Sequence, residues 1–103
     1  MRKIAVGNYN IDVMKPEGKT SLSYDVKSSL ITALLHPSQK MTAREVLLRN
    51  KIGDKIEEAK EFVFLEEAEY EKLKTAFDTI EGFGQNDIPL IERVFDAEKV
   101  EVK

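Results

Sequence analysis

The sequence predicts an α+β fold, on three observations. Residues 41–80 hold two stretches of helical periodicity separated by a short β-prone run, Phe62-Val63-Phe64-Leu65. Near both ends apolar and polar residues alternate instead, at Ile4 and Val6 and again at Val100 and Val102, the period of a strand with one covered face. The chain has 103 residues, 42% of them apolar, which suits one domain with one modest core. The expected architecture is a compact single domain with an N-terminal strand or hairpin, about four helices, and short strands near 62–65 and 98–102.

Taken in order, residues 3–14 read as strand. Ile4 and Val6 form one alternating set and Tyr9, Ile11 and Val13 another, with Gly7-Asn8 between them. That dipeptide suits either a tight hairpin turn or a bulge in one longer strand. Pro16-Glu17-Gly18 reads as a turn, and residues 20–24 are ambiguous. Asp25 is placed to cap a helix over 26–36, with Val26, Leu30, Ala33 and Leu34 on one face. Pro37 ends it, because the residue before a proline is pushed out of the α region.

Thr42 and Glu45 have the spacing of a capping box, opening a helix over 42–60 whose apolar face is expected at Leu48, Ile52, Ile56 and Ala59. Gly53 sits inside this helix at a cost of about 1 kcal/mol relative to alanine. The favoured reading is another backbone packed closely against it, so that Gly53→Ala would collide and destabilise; the alternative is a surface glycine without a role. The strand at 62–65 follows, and this run is expected in the core with the faces of the two helices that flank it. Glu66, Glu67 and Glu69 oppose the macrodipole of the next helix, whose face is Tyr70, Leu73, Phe77 and Ile80. Gly82-Phe83-Gly84 stops it. Asn86 or Asp87 opens a last helix, with Pro89 in its first turn and Ile88, Ile91, Val94 and Phe95 inward. The order is β(β)–α–α–β–α–α–β, with the two terminal strands free to pair with each other.

Composition narrows the function. There is no cysteine, which excludes disulfide and thiolate chemistry and fits a reducing compartment. The basic start is cut off by Gly7-Asn8-Tyr9-Asn10 before any signal-peptide core develops. No apolar run approaches the roughly 20 residues of a membrane-spanning helix. A cytoplasmic protein without membrane contact is expected. The net charge of −3 is unevenly spread: residues 1–55 carry 10 basic and 5 acidic side chains, residues 56–103 carry 6 and 14. Such asymmetry marks an interaction surface, attraction between two copies, or simply solvated helix faces. An acidic second half is also what an imitator of nucleic acid would present.

No motif carries a reaction. The one histidine, His36, has no cluster of ligands at metal-site spacing. Gly82-Phe83-Gly84 lacks the longer fingerprint of a phosphate loop. Glu57-Glu58, Glu66-Glu67, Glu69 and Glu71 interleave with lysines as solvated helix faces do. Asp78, Glu81, Asp87 and Asp96 miss the calcium-loop spacing. No enzyme activity, cofactor or metal is expected. The candidate interaction residues are Gly53, Phe83 as a loop tip or a ring folded back onto the core, and the cations Arg44, Arg49, Lys51 and Lys55. Arg44, Lys51 and Lys55 share one side of their helix. A few such cations give weak, salt-sensitive contact with phosphates, and a pI near 5.2 argues against nucleic acid as partner.

An N-terminal strand is followed by Tyr24-Asp25-Val26-Lys27-Ser28-Ser29-Leu30-Ile31-Thr32-Ala33-Leu34-Leu35. Arg49-Asn50-Lys51-Ile52-Gly53-Asp54-Lys55-Ile56 comes next, then Phe64-Leu65-Glu66-Glu67-Ala68-Glu69-Tyr70 leading into a helix. This order resembles small accessory proteins encoded by tailed bacteriophages and prophages. The resemblance covers most of the chain as a style of architecture, without a defining motif, so no functional residue carries over. It implies a compact, non-catalytic protein that binds and modulates a host or viral protein. Two alternatives stand beside it: a self-associating assembly or morphogenesis factor, and a weak nucleic-acid-binding regulator.

Overall fold

Strand β1, Arg2–Ala5, is the centre of a three-stranded antiparallel sheet. It pairs on one side with β4, Phe62–Leu65, from Arg2 opposite Leu65 to Ala5 opposite Phe62. On the other side it pairs with β5, Glu98–Lys99. Met1 and Val100 exchange both backbone hydrogen bonds just beyond that pairing, so the expected union of the terminal strands is present. The computed structural model describes residues 1–101, and the side chains of these other than Val13, Met14, Lys15 and Lys19. The expected contributions of Val13 and Val102 lie outside that description.

The hairpin forms elsewhere than at Gly7-Asn8. Strands β2, Tyr9–Lys15, and β3, Gly18–Tyr24, make a separate two-stranded sheet joined through Pro16 and Glu17. Gly18, at φ +121°, takes a backbone conformation that side chains with a Cβ avoid. The ambiguous 20–24 segment is therefore strand, because its partner lies directly across the turn. Gly7-Asn8 instead carries the chain from one sheet to the other, and the Asn8 side chain accepts from the Val26 N–H at 3.0 Å.

Four helices lie among the described residues: α1, Val26–Leu34; α2, Ala43–Glu58; α3, Glu67–Thr79; and α4, Ile88–Phe95. Asp25 caps α1 by accepting from the Ser28 N–H at 3.0 Å. α1 ends two residues earlier than predicted, and His36 opens a 3-10 turn over Pro37–Gln39. Thr42 caps α2 through the Glu45 N–H at 3.2 Å. Glu45 does not complete the reciprocal half of the box; its carboxylate turns to Lys72 on α3. At the start of α3 the Glu69 side chain does reach back, accepting from the Glu66 N–H at 3.0 Å.

One core joins the inner face of the sheet to the helices: Ile4, Val6, Val63 and Leu65 against Leu30, Leu34, Ile56, Tyr70, Leu73, Phe77, Leu90 and Val94. Full burial of a side chain of this size is worth about 1.5–3 kcal/mol. The α1 and α3 faces follow the predicted periodicity. Four predicted core positions, Leu48, Phe62, Phe64 and Ile88, do not reach the core. Leu48 is 42% exposed and Ile88 is 48% exposed, while Leu90 fills the place assigned to Ile88.

Candidate interaction surfaces

At 100° per residue, Arg44, Leu47, Leu48, Lys51 and Lys55 fall on one side of α2, and Arg49, Ile52 and Ile56 on the other. The burial follows that division: Leu47 is 65% exposed, whereas Arg49 is only 6% exposed and Ile56 is fully buried. Three consecutive apolar residues, Val46-Leu47-Leu48, span more than half a turn, so they cannot all face inward. The inner place opposite Leu34 goes to Arg49. Its Nη1 donates to the Leu34 carbonyl at 3.1 Å and to the Gln39 side-chain oxygen. Its Nε lies 3.7 Å from Glu45 Oε1, an ion pair without a hydrogen bond.

The predicted interaction residues are thus divided. Arg44 and Lys51 stay together at the surface beside the two leucines, and neither forms an ion pair among the described residues. Lys55 lies on the same side but is held by Glu69 of α3 at 2.7 Å. Glu45 is bound by Lys72, whose hydrogen bond holds its carboxyl below the usual carboxylate range. With Arg2 paired to Glu67 at 2.9 Å, cations of the basic first half take up two glutamates of the acidic second half. Arg49 is a structural cap, absent from the exposed face.

Gly53 is buried where α2 crosses α1. A Cβ placed on it would meet Ile31 Cγ1 and Cγ2 at 3.7 Å, an ordinary van der Waals distance. The neighbour is a side chain and not the expected backbone, and it leaves room for a methyl group, so the expected collision is absent. Phe83 folds back: its ring stacks on Phe77 with centroids 5.2 Å apart and remains 36% exposed. It borders a shallow groove of about 210 Å³ with Thr32, Ala33, His36 and Ile80. His36 Nδ1 accepts from the Ser38 backbone N–H at 3.2 Å, and no group of metal-ligating side chains gathers around it or elsewhere among the described residues.

The two tyrosines at the open end of the hairpin are engaged internally. Tyr9 and Tyr24 stack on each other across the hairpin at 4.6 Å, and the Arg93 guanidinium lies 5.2 Å over the Tyr9 ring. Tyr9 donates to the Asn86 carbonyl at 2.7 Å, and Tyr24 donates to the Asp87 carboxylate. Burial, then the bond to Asp87, pushes the Tyr24 phenol up to about 12. This cluster ties the hairpin to the start of α4.

A second surface is the outer side of the sheet. Phe62 and Phe64 alternate with the buried Val63 and Leu65, and stand 40% and 37% exposed. Lys3 Nζ lies 4.2 Å over the Phe62 ring. Val6 N donates to Glu61 O at 2.9 Å. Alternation along an antiparallel ladder then makes Ile4–Val63 and Arg2–Leu65 hydrogen-bonded pairs. The N–H and C=O groups of Phe62 and Phe64 therefore point away from β1, along an edge that no other strand covers. The run Phe62-Val63-Phe64-Leu65 is expected in the core, but only Val63 and Leu65 reach it, because successive side chains of a strand point to opposite faces of the sheet.

No helix among the described residues is long and apolar enough to cross a membrane. Comparison of the chain with protein-family models, with curated proteins and with solved structures gives no match to any of them.

Proposed function

We propose that the protein acts without catalysis, by binding another protein through the outer face of α2. The observation that carries this reading is Leu47 at 65% exposure, beside Leu48 and between Arg44 and Lys51, cations with no ion pair among the described residues. Exposed apolar side chains of this size in a contiguous cluster mark interaction sites. The flanking cations select for a partner segment that carries carboxylates around an apolar centre. The resemblance to accessory proteins of tailed phages assigns that partner to the host or the virion, and the place of action to the host cytoplasm; this part of the reading rests on resemblance alone.

The same face supports nucleic-acid binding less well. Arg49 is withdrawn from it and Lys55 is paired, leaving Arg44 and Lys51, separated by leucines, as its cations without an ion pair among the described residues. Two phosphate contacts give only weak, salt-labile affinity. The self-associating alternative is favoured by a different observation, the bare edge of β4.

The test is affinity capture from lysate of the source cell with the parent and with Leu47→Asp and Arg44→Glu/Lys51→Glu variants. A protein retained by the parent and lost from both variants, all equally stable, is the expected result. Equal retention by all three sinks the assignment to α2. Retention on duplex DNA that collapses with salt and is lost from the Arg44→Glu/Lys51→Glu variant alone would transfer the face to nucleic acid.

A further inference from the structure

The sheet has two edges, and they differ in how they are protected. The β5 edge is two residues long and charged, Glu98-Lys99, features that discourage pairing with another chain. Beyond it, the exposed carbonyls of Ala5 and Gly7 are taken by Arg93 Nη1, at 3.1 and 2.6 Å. The β4 edge has no such defence. Its four residues, Phe62-Val63-Phe64-Leu65, contain no charge and no proline, and the outward backbone groups of Phe62 and Phe64 make no hydrogen bond among the described residues.

We infer that this edge takes a second copy of the same chain, strand β4 pairing antiparallel with its own twofold mate. The register follows from the chain itself. In an antiparallel pair, residues that exchange hydrogen bonds sit opposite each other, so Phe62 and Phe64 must face residues of the same outward set. Placing Phe62 opposite Phe64 of the second copy satisfies both residues in both chains, with Val63 on the twofold axis. Two residues further out, Lys60 then comes opposite Glu66 of the second copy, and Glu66 opposite its Lys60. Lys60 and Glu66 are both exposed, and Lys60 forms no ion pair among the described residues. Sliding the register by two residues either way leaves one phenylalanine without a phenylalanine partner and breaks both charge pairs.

Charge complementarity and backbone complementarity therefore select the same register. The exposed rings of Phe62 and Phe64 meet across the junction, and aromatic cross-strand pairs and opposite charges both favour pairing. An isologous contact of this kind closes on itself. It joins two three-stranded sheets into one of six strands, with the charged β5 strands at both outer edges, so it does not propagate into a fibre. This interface shares no residue with the outer face of α2 formed by Arg44, Leu47, Leu48 and Lys51.

Sedimentation equilibrium from micromolar to millimolar protein, together with amide hydrogen exchange at both ends of that range, tests the pairing. The expected result is a monomer–dimer equilibrium in which the Phe62 and Phe64 amides, open in the monomer, become protected as concentration rises. Lys60→Glu places like charges opposite each other at both ends and weakens the dimer by about tenfold or more. Combining it with Glu66→Lys restores opposite charges and recovers the dimer. Phe64→Pro removes an outward N–H that no intramolecular bond uses and abolishes pairing; should that variant fail to fold, the charge exchange still decides. A chain that stays monomeric throughout overturns the inference. So does a dimer in which the Phe62 and Phe64 amides exchange as freely as in the monomer, or one in which the charge exchange fails to rescue Lys60→Glu.

Discussion

Arg49 of α2 closes the C-terminus of α1: its guanidinium donates to the Leu34 carbonyl at 3.1 Å. The last carbonyls of a helix lack partners within the helix. Gln39 Nε2 satisfies the neighbouring Ala33 carbonyl at 2.7 Å and offers its oxygen to the same Arg49. One buried cation and one amide thus hold the end of α1, the turn after it and α2 in a single arrangement.

Removing that cation is expected to be costly. Arg49→Ala leaves the Leu34 carbonyl and the Gln39 oxygen without their donor and opens a cavity between α1 and α2. A loss of about 2–4 kcal/mol in urea melts is expected, on the scale of breaking a buried charged hydrogen bond. A loss below about 0.5 kcal/mol would match an ordinary surface position and contradict the capping role.

Gly53→Ala should stabilise the chain. The new methyl lands 3.7 Å from Ile31, where it gains contact without forcing a shift, and helix propensity adds about 0.5–1 kcal/mol. A higher melting midpoint with an unchanged denaturant slope is the expected outcome. A destabilised variant would mean that the α1–α2 crossing is tighter than these distances. Gly53→Leu overfills the same space and is expected to cost about 1–3 kcal/mol.

The core assignment of α2 and α3 can be checked by contrast. Ile56 is fully buried and Phe77 is 5% exposed, while Leu48 is 42% exposed. Ile56→Ala and Phe77→Ala should each cost about 2–5 kcal/mol. Leu48→Ala should stay within about 0.5 kcal/mol of the parent. Equal losses at Leu48 and Ile56 would rotate α2 about its axis relative to the arrangement described above.

Alkaline stability should depend on Tyr24. Its phenol is raised from the usual 10 to about 12, by burial first and then by the bond to Asp87. In the unfolded chain the phenol ionises near 10, so the stabilising contribution is intact below that pH. It is lost as pH rises toward 12, because the unfolded state releases its proton first. Urea midpoints stepped across this window should fall, and fall less steeply in Tyr24→Phe. Tyr9 and Tyr70 are also raised by burial, so the slope is reduced in the variant without vanishing. Equal slopes in the two proteins would place the Tyr24 hydroxyl in solvent.

What could be read from sequence was the local chemistry. The Asp25 and Thr42 caps, the limits of β4 and the inner faces of α1 and α3 follow from residue type and spacing within a few positions. The misplacements share a different cause. Strand β1 finds its partners at residues 62–65 and 98–99, so nothing near Gly7-Asn8 signals that it leaves one sheet for another. Leu48 lost its core place to an arginine because the groups Arg49 satisfies belong to a different helix and turn. The surface on α2 was half legible: Arg44 and Lys51 stand where their spacing put them, but the exposed leucines between them depended on that same inward turn of Arg49. The bare edge of β4 was invisible, since strand order is a property of the assembled sheet.

The central place of β1 also sets an order of events during synthesis. It leaves the ribosome before both of its neighbours: α1 and α2 separate it from β4, and α1 to α4 separate it from β5. Loops that long close late. The β2–β3 hairpin, whose strands are adjacent in the chain, can form as soon as it emerges. The three-stranded sheet must wait, with Ile4 and Val6 uncovered, until β4 and β5 have emerged. Translation speed up to α4 and β5 therefore governs how long those apolar residues remain open to chaperones or to other nascent chains.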